Sequence, residues 1–400
     1  MSSSLLRYAI VLGLLTAMGP FAIDMYLPAL PEIGRDLGAG TEAVQASLMV
    51  FFISLGVGQL VFGPLSDMFG RKLPLYIGLA VFLAGSIGCV FAPDIETLIA
   101  FRFVQGLGAC AGMVIPRAVV RDLHTGTEAA RLMSLLMLVF SVSPILAPLA
   151  GSFVIEAAGW RGVFWVVTVL AALGILLLAL CLSETRPRAH RVESSIAGAL
   201  SAYRSLLTDR QFLGLTFIGA FGIASFFAYL ANSSFVLIEH YGLSPRLYSV
   251  FFSINAVSFI GVSQCTAWLA ARFGFGRIVR VAVTGYAAAM VVLLAVTLAG
   301  VDQLAVLAGL LFIGYGFLGL VIPTTSVLAL EDHGAVAGTA SALMGTLQFV
   351  TGAVVIAVVG PFFDGTSLPM VAGITTCAVI AFVLAQMTLS RKRPVEVPAE

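Results

Sequence analysis

The sequence predicts an all-α polytopic membrane protein with twelve transmembrane helices in two six-helix halves, and three observations carry that prediction. Hydrophobic residues make up 60% of the 400 positions and charged residues only 10%, whereas a soluble domain carries about 25% charged residues. A water-facing surface cannot be built from that supply. The apolar residues also form long uncharged runs, such as 73–93 and 163–183, each long enough to cross ~30 Å of hydrocarbon as a helix of about 20 residues. Finally, the basic residues fall on alternate connections, as the positive-inside bias requires.

Twelve spans are expected at roughly residues 6–30, 43–66, 73–92, 95–120, 129–157, 161–182, 211–238, 246–271, 279–299, 302–328, 336–361 and 367–390. They must be helices, because lipid offers nothing to bond exposed backbone amides and carbonyls. The run after Arg7 continues to Ile23 without a small-x-small cleavage pattern and reads as an uncleaved first span. With the N-terminus in the cytoplasm, 17 of the 21 basic residues lie on cytoplasmic segments. They are Arg7, Arg71, Lys72, Arg117, Arg121, Arg131, Arg186, Arg188, Arg191, Arg204, Arg210, Arg272, Arg277, Arg280, Arg391, Lys392 and Arg393. Only Arg35, Arg161 and Arg246 fall outside, and Arg102 falls within a span. An even span count then puts both termini in the cytoplasm. The longest polar connection divides the chain into an N-terminal half at 1–183, a cytoplasmic linker at 184–210 and a C-terminal half at 211–400. Two six-span halves are the plan of a transporter built from repeats. Phe69-Gly70-Arg71 after span 2 is echoed by Phe275-Gly276-Arg277 after span 8.

Composition also excludes functions. A net charge of +1 offers nothing to nucleic acid. Cys89, Cys110, Cys181, Cys265 and Cys377 lie in apolar runs without a CxxC spacing, so they read as small buried hydrophobes. No metal site is legible. There is no HExxH for an intramembrane protease and no Walker sequence for an ATP-driven pump.

Four stretches carry mechanism. Between spans 2 and 3 runs Gly63-Pro64-Leu65-Ser66-Asp67-Met68-Phe69-Gly70-Arg71-Lys72, a tight turn with clustered charges that can pair with one another or with a helix end. Span 4 contains Arg102 within Leu98-Ile99-Ala100-Phe101-Arg102-Phe103-Val104-Gln105-Gly106-Leu107-Gly108-Ala109. An arginine at that depth costs ~2.5–3.5 kcal/mol on insertion scales, so it marks function unless it snorkels to the interface. Gln105 shares its helix face. In span 5, Pro144 and Pro148 lie on one face, and Ala150-Gly151 permits close packing. Span 1 carries Asp24 in Asp24-Met25-Tyr26-Leu27-Pro28-Ala29-Leu30-Pro31, the clearest carboxylate inside a span and a candidate proton carrier. Tyr26, Gln105, Tyr229, Asn232 and Tyr315 are polar candidates for a substrate cavity, although each could equally bond between helices.

The span 2–3 loop, with Gly63, Leu65, Asp67, Gly70, Arg71 and Lys72, resembles the GxLxDxxGRK loop of the major facilitator superfamily. The span 4 stretch resembles that family's LxxxRxxQGxG pattern. The span 5 run resembles the GPxxGG element of its drug antiporters, with Ala147 and Ser152 in place of two glycines. The string DMYLPALP is similar to span 1 of the bicyclomycin-resistance (Bcr/CflA) type. The resemblance covers the N-terminal half and implies proton-coupled multidrug efflux by alternating access in the bacterial inner membrane. It further implies proton coupling at Asp24 and Arg102, a gate loop that latches the two halves on the cytoplasmic side, and an antiporter helix marked by Pro144, Pro148 and Gly151. A monomer without cofactors is implied, its partners being a small-molecule drug, a proton and the bilayer. A facilitator-type transporter of a single metabolite is the alternative.

Overall fold

A computed structural model describes residues 3–124, 126–186 and 196–389. Arg188, Arg191, Arg391, Lys392 and Arg393 of the charge argument lie outside the described residues. The described residues contain helices and no strand.

Eleven apolar helices are long enough to span a membrane. One of them, Arg131–Cys181, holds 51 residues, about twice what a bilayer requires. It bends at Gly159, whose φ of 68° is open to glycine without strain, and so supplies spans 5 and 6. The remaining helices are Thr41–Phe69, Lys72–Val90 and Ile95–Leu123 for spans 2–4, and Arg210–Ser234 for span 7. Pro245–Ser263 with Thr266–Phe273 forms span 8, interrupted at Gln264 and Cys265. Phe275–Leu298, Leu304–Glu331, Ala337–Val359 and Leu368–Leu389 form spans 9–12. The linker adds a short helix, Ile196–Thr208.

Span 1 differs from its expectation. Its α-helix, Ser3–Asp24, stops at the candidate carboxylate instead of running on. A 3-10 turn, Leu27–Ala29, and a separate helix, Leu30–Asp36, follow. Pro28 and Pro31 cannot supply the amides that an unbroken helix needs there. Span 7 departs from α geometry at the corresponding place: Phe235–His240 is a π-helix, a form that concentrates at functional sites.

The packing repeats. In the first half span 4 packs on spans 1, 2 and 3, span 1 on the bent span 5–6 helix, and span 3 on span 6; in the second half span 10 packs on spans 7, 8 and 9, span 7 on spans 11 and 12, and span 9 on span 12. Between the halves, span 2 meets span 11 and span 5 meets span 8, two pairs that a twofold axis would exchange. Side chains on the outer helix faces are apolar and exposed, Leu176, Leu180, Val281 and Val358 among them, as a lipid-facing surface requires.

Bonds between the halves gather away from the basic end of the bundle. Gln45 Nε2 donates to Asn232 Oδ1 at 2.9 Å, and Ser234 Oγ donates to the Leu27 carbonyl at 2.6 Å. Ser249 and Ser253 donate to the Pro148 and Ile145 carbonyls, Arg246 pairs with Glu156, and Thr346 donates to the Gly56 carbonyl at mid-height. Phe52 stacks on Phe227 at 4.0 Å across the seam. At the basic end, no hydrogen bond or ion pair between described residues joins the halves. Among the described residues the polar bonds between the halves are thus confined to the other end and the middle of the bundle.

Candidate functional site

Arg102 is fully buried and organises most of the first half. Its Nη1 donates to the Ala22 carbonyl at 3.1 Å and to Gln105 Oε1 at 2.6 Å. Gln105 Nε2 passes the chain on to Ser86 Oγ at 2.8 Å, in span 3. The guanidinium carbon lies 4.2 Å from the Phe51 ring centre, 4.5 Å from Tyr26 and 5.9 Å from Phe164. Such ring faces stabilise a desolvated cation by ~2 kcal/mol. Snorkelling is excluded, since the side chain turns inward among spans 1, 2, 3 and 6. Its Nε and Nη2 keep no hydrogen-bond partner. The approach is possible because span 4 presents glycine: a Cβ at Gly106 would meet the Phe51 carbonyl at 2.6 Å, and one at Gly108 would meet the Phe82 amide at 2.3 Å.

Asp24 is buried at the break in span 1. Among the described residues no hydrogen bond or ion pair reaches its carboxylate. Arg102 does not pair with it and bonds the carbonyl of Ala22 instead. Gly151 brings span 5 against this break, where a Cβ would lie 2.3 Å from the Met25 carbonyl oxygen. Beside it, the Pro148 carbonyl accepts from Ser249 of span 8 at 2.9 Å. The proline-glycine face of span 5 thus links the span 1 break to the second half.

The five cavity candidates separate into two groups, all fully buried. Tyr26 joins the Arg102 box, its hydroxyl 2.7 Å from Ser47 Oγ, and Gln105 lies in the same hydrogen-bond chain. Tyr229 and Tyr315 join an uncharged cluster in the second half: their rings are 5.4 Å apart, and Phe252 stacks on Tyr229 at 5.7 Å. Asn255 Nδ2 donates to the Tyr229 hydroxyl at 3.1 Å, while the Tyr315 hydroxyl has no partner. Asn232 belongs to neither, because it holds the seam with Gln45. Sequence had nominated Asn232 but passed over Gln45, Phe51, Phe164 and Ser234. Glutamine, phenylalanine and serine inside an apolar run carry no signal until their neighbours are known.

The loop after span 2 is a network centred on Arg71, which is nearly fully buried. Arg71 binds Asp122 of span 4 through Nε at 2.7 Å and through Nη2 at 3.3 Å, and Asp67 through Nη1 at 2.7 Å. Glu184, just past span 6, accepts from the Arg71 and Lys72 backbone amides at 2.8 and 3.2 Å. It caps the first turn of span 3, where a carboxylate is favoured by the helix dipole. Gly70 supplies the turn with φ 92°. Gly63, one residue before Pro64, sits in the last turns of span 2, and a Cβ there would meet nothing. Among the described residues the loop's bonds run to span 4 and to Glu184 and Arg186 at the head of the linker, and none reaches the second half. The paired Arg121-Asp122 at the end of span 4 was the sequence signal for the partner that was missed.

Comparison with known proteins agrees with this architecture. The model of the Major Facilitator Superfamily matches residues 12–356. The uncharacterised MFS-type transporter YdgK of Bacillus subtilis is 39% identical over 394 residues, covering 97% of this chain and 96% of that protein. The bicyclomycin resistance protein homolog of Haemophilus influenzae is 28% identical over 387 residues, 96% of each chain. The crystal structure of a D-xylose-proton symporter superposes with a TM-score of 0.74 at 16% identity, covering 96% of this chain and 97% of that one; at that identity the likeness speaks for the fold alone. The chain belongs to the Major Facilitator Superfamily, and is a multi-pass membrane transporter rather than an enzyme.

Proposed function

We propose that the chain is a proton-coupled exporter of small amphipathic drugs, working by alternating access in the bacterial inner membrane as a monomer with both termini in the cytoplasm. The observation that carries this reading is Asp24. It is a buried carboxylate without an ion-pair partner, placed at a helix break beside the seam between the halves. A carboxylate so placed can exchange a proton as the seam opens and closes, because desolvation favours its neutral form and hydration its charged form. The basic end is the cytoplasmic one by the positive-inside bias, so the polar bonds between the halves gather towards the outer side. The halves 1–183 and 211–400 rock about the span 2–11 and span 5–8 contacts, with 184–210 as their tether. The drug class is supported by the similarity to the bicyclomycin resistance protein homolog and by the span 5 element of Pro144, Pro148 and Gly151, beside which the Pro148 and Ile145 carbonyls accept from Ser249 and Ser253 of span 8.

A drug-susceptibility panel in an efflux-deficient bacterium tests the reading. Expression of the chain should raise the inhibitory concentration of several unrelated amphipathic drugs, and Asp24→Asn should return it to baseline. Saturable movement of one metabolite with no change in drug susceptibility would replace export with single-metabolite transport.

A further inference from the structure

Arg117 is a second in-span arginine that the coupling site does not use. Sequence counted it among the cytoplasmic charges, yet it lies inside the helix Ile95–Leu123, within its last two turns. Its Nε is buried without a hydrogen-bond partner, and no described side chain or carbonyl accepts from its other nitrogens. Nearby carboxylates are committed elsewhere. Asp122 binds Arg71 and Thr185, Asp67 binds Arg71 and Arg186, and Glu128 pairs with His124. Another cation, the exposed Arg121, follows one turn on and acts on it electrostatically.

Helix register places this cation. Met113, one turn earlier, packs on span 1, where a Cβ at Gly19 would meet its sulfur at 2.7 Å. Cys110, two turns earlier, packs on span 2, where a Cβ at Gly58 would meet it at 2.8 Å. Arg117 shares a face with both, so it points along the seam between spans 1 and 2. Among the described residues no hydrogen bond or ion pair joins the two halves at that height.

We propose that Arg117 is a ligand-binding residue at the cytoplasmic mouth, taking the carboxylate or other oxyanion of an amphipathic molecule whose apolar part lies between the halves. A guanidinium offers paired donors in a planar fork that suits such a group. Arg121 adds a positive field that draws anions towards the mouth. This rests on the export reading only in supposing that ligand approaches from the cytoplasmic side.

The test is a binding measurement without any proton gradient. Purified protein in phosphatidylcholine nanodiscs is titrated against dansylglycine and its neutral amide, read by fluorescence anisotropy. Wild type should bind the carboxylate on the order of tenfold tighter than the amide. Arg117→Gln should erase that preference and leave amide binding unchanged. Arg117→Lys, which keeps the charge, should retain part of the preference. Repetition with phosphatidylglycerol separates two sources of the oxyanion. Preference that persists assigns the site to a soluble ligand, and preference lost only there assigns it to a lipid headgroup; either keeps the oxyanion site. The proposal is overturned if wild type shows no preference, if the preference survives Arg117→Gln, or if Arg117→Lys binds the amide normally and shows none. Failure of drug export with an Arg117-dependent preference intact would sink the export reading and leave this site standing.

Discussion

The two halves share one packing plan and differ in what they bury. The first half encloses charge: Arg102 among three aromatic rings, Asp24 at a helix break, and Arg71 in a carboxylate network. The second encloses hydroxyls and rings: Tyr229 with Asn255, Tyr286 with Ser225, and Tyr248 with Ser233. Their equivalent loops differ in the same way. Arg71 is held by two carboxylates, whereas Arg277 of the echoing Phe275-Gly276-Arg277 is exposed and makes no described ion pair. Duplicated architecture thus repeats the packing, which depends on small and apolar residues at contacts, without repeating the chemistry, which depends on a few positions. The residues proposed for coupling, Asp24 and Arg102, both lie among the buried charges of the first half.

The comparison is broken most severely at Arg102. Arg102→Ala should abolish proton-driven transport in proteoliposomes, a loss on the order of 100-fold, because it removes the group on which spans 1, 2, 3 and 6 converge. Arg102→Lys should recover little, since an ammonium cannot fill the planar aromatic box and hold Gln105 together. Full transport in the lysine variant would reduce Arg102 to a simple charge.

Asp24→Asn should remove proton-driven export while leaving neutral-drug exchange. With a single coupling carboxylate, one proton enters per drug expelled. An inside-negative potential, ~2.3 kcal/mol per charge per 100 mV, should then accelerate export of neutral drugs and not of monovalent cations. Potential-driven export of a monovalent cation at zero pH gradient would require a second proton site.

The loops make a milder contrast, measurable by thermal unfolding in detergent. Asp122→Asn should destabilise by about 1–3 kcal/mol, because it weakens a largely buried charge-assisted pair. Asp67→Asn, at a more exposed position, should cost less in stability and instead slow turnover by shifting which state is populated. Arg277→Ala should cost no more than ~0.5 kcal/mol. Equal costs for Asp122→Asn and Arg277→Ala would remove the asymmetry between the loops.

The smallest effects belong to the aromatic cluster. Tyr229→Phe strands the Asn255 amide and should cost about 1 kcal/mol. Tyr315→Phe deletes a hydroxyl that has no partner and should be neutral or slightly stabilising. A larger loss for Tyr315→Phe in drug binding than in stability would identify that hydroxyl as a substrate contact.

Span number, the two-half layout and the identity of Asp24, Arg102 and the Arg71 loop were all legible in the chain itself. Lipid demands about 20 apolar residues per helix and makes each charge among them conspicuous. What the chain alone could not decide was partnership. The span 1 helix ends at Asp24, Arg102 turns to rings and a carbonyl instead of that carboxylate, Asn232 finds Gln45, and Arg71 finds Asp122 in span 4 and Glu184 at the head of the linker. Each depends on which helix faces are brought together, and periodicity within one span carries no information about its neighbours. Hydrophobicity selects the solvent for each segment, and only packing of one helix on another selects the partner for each polar group.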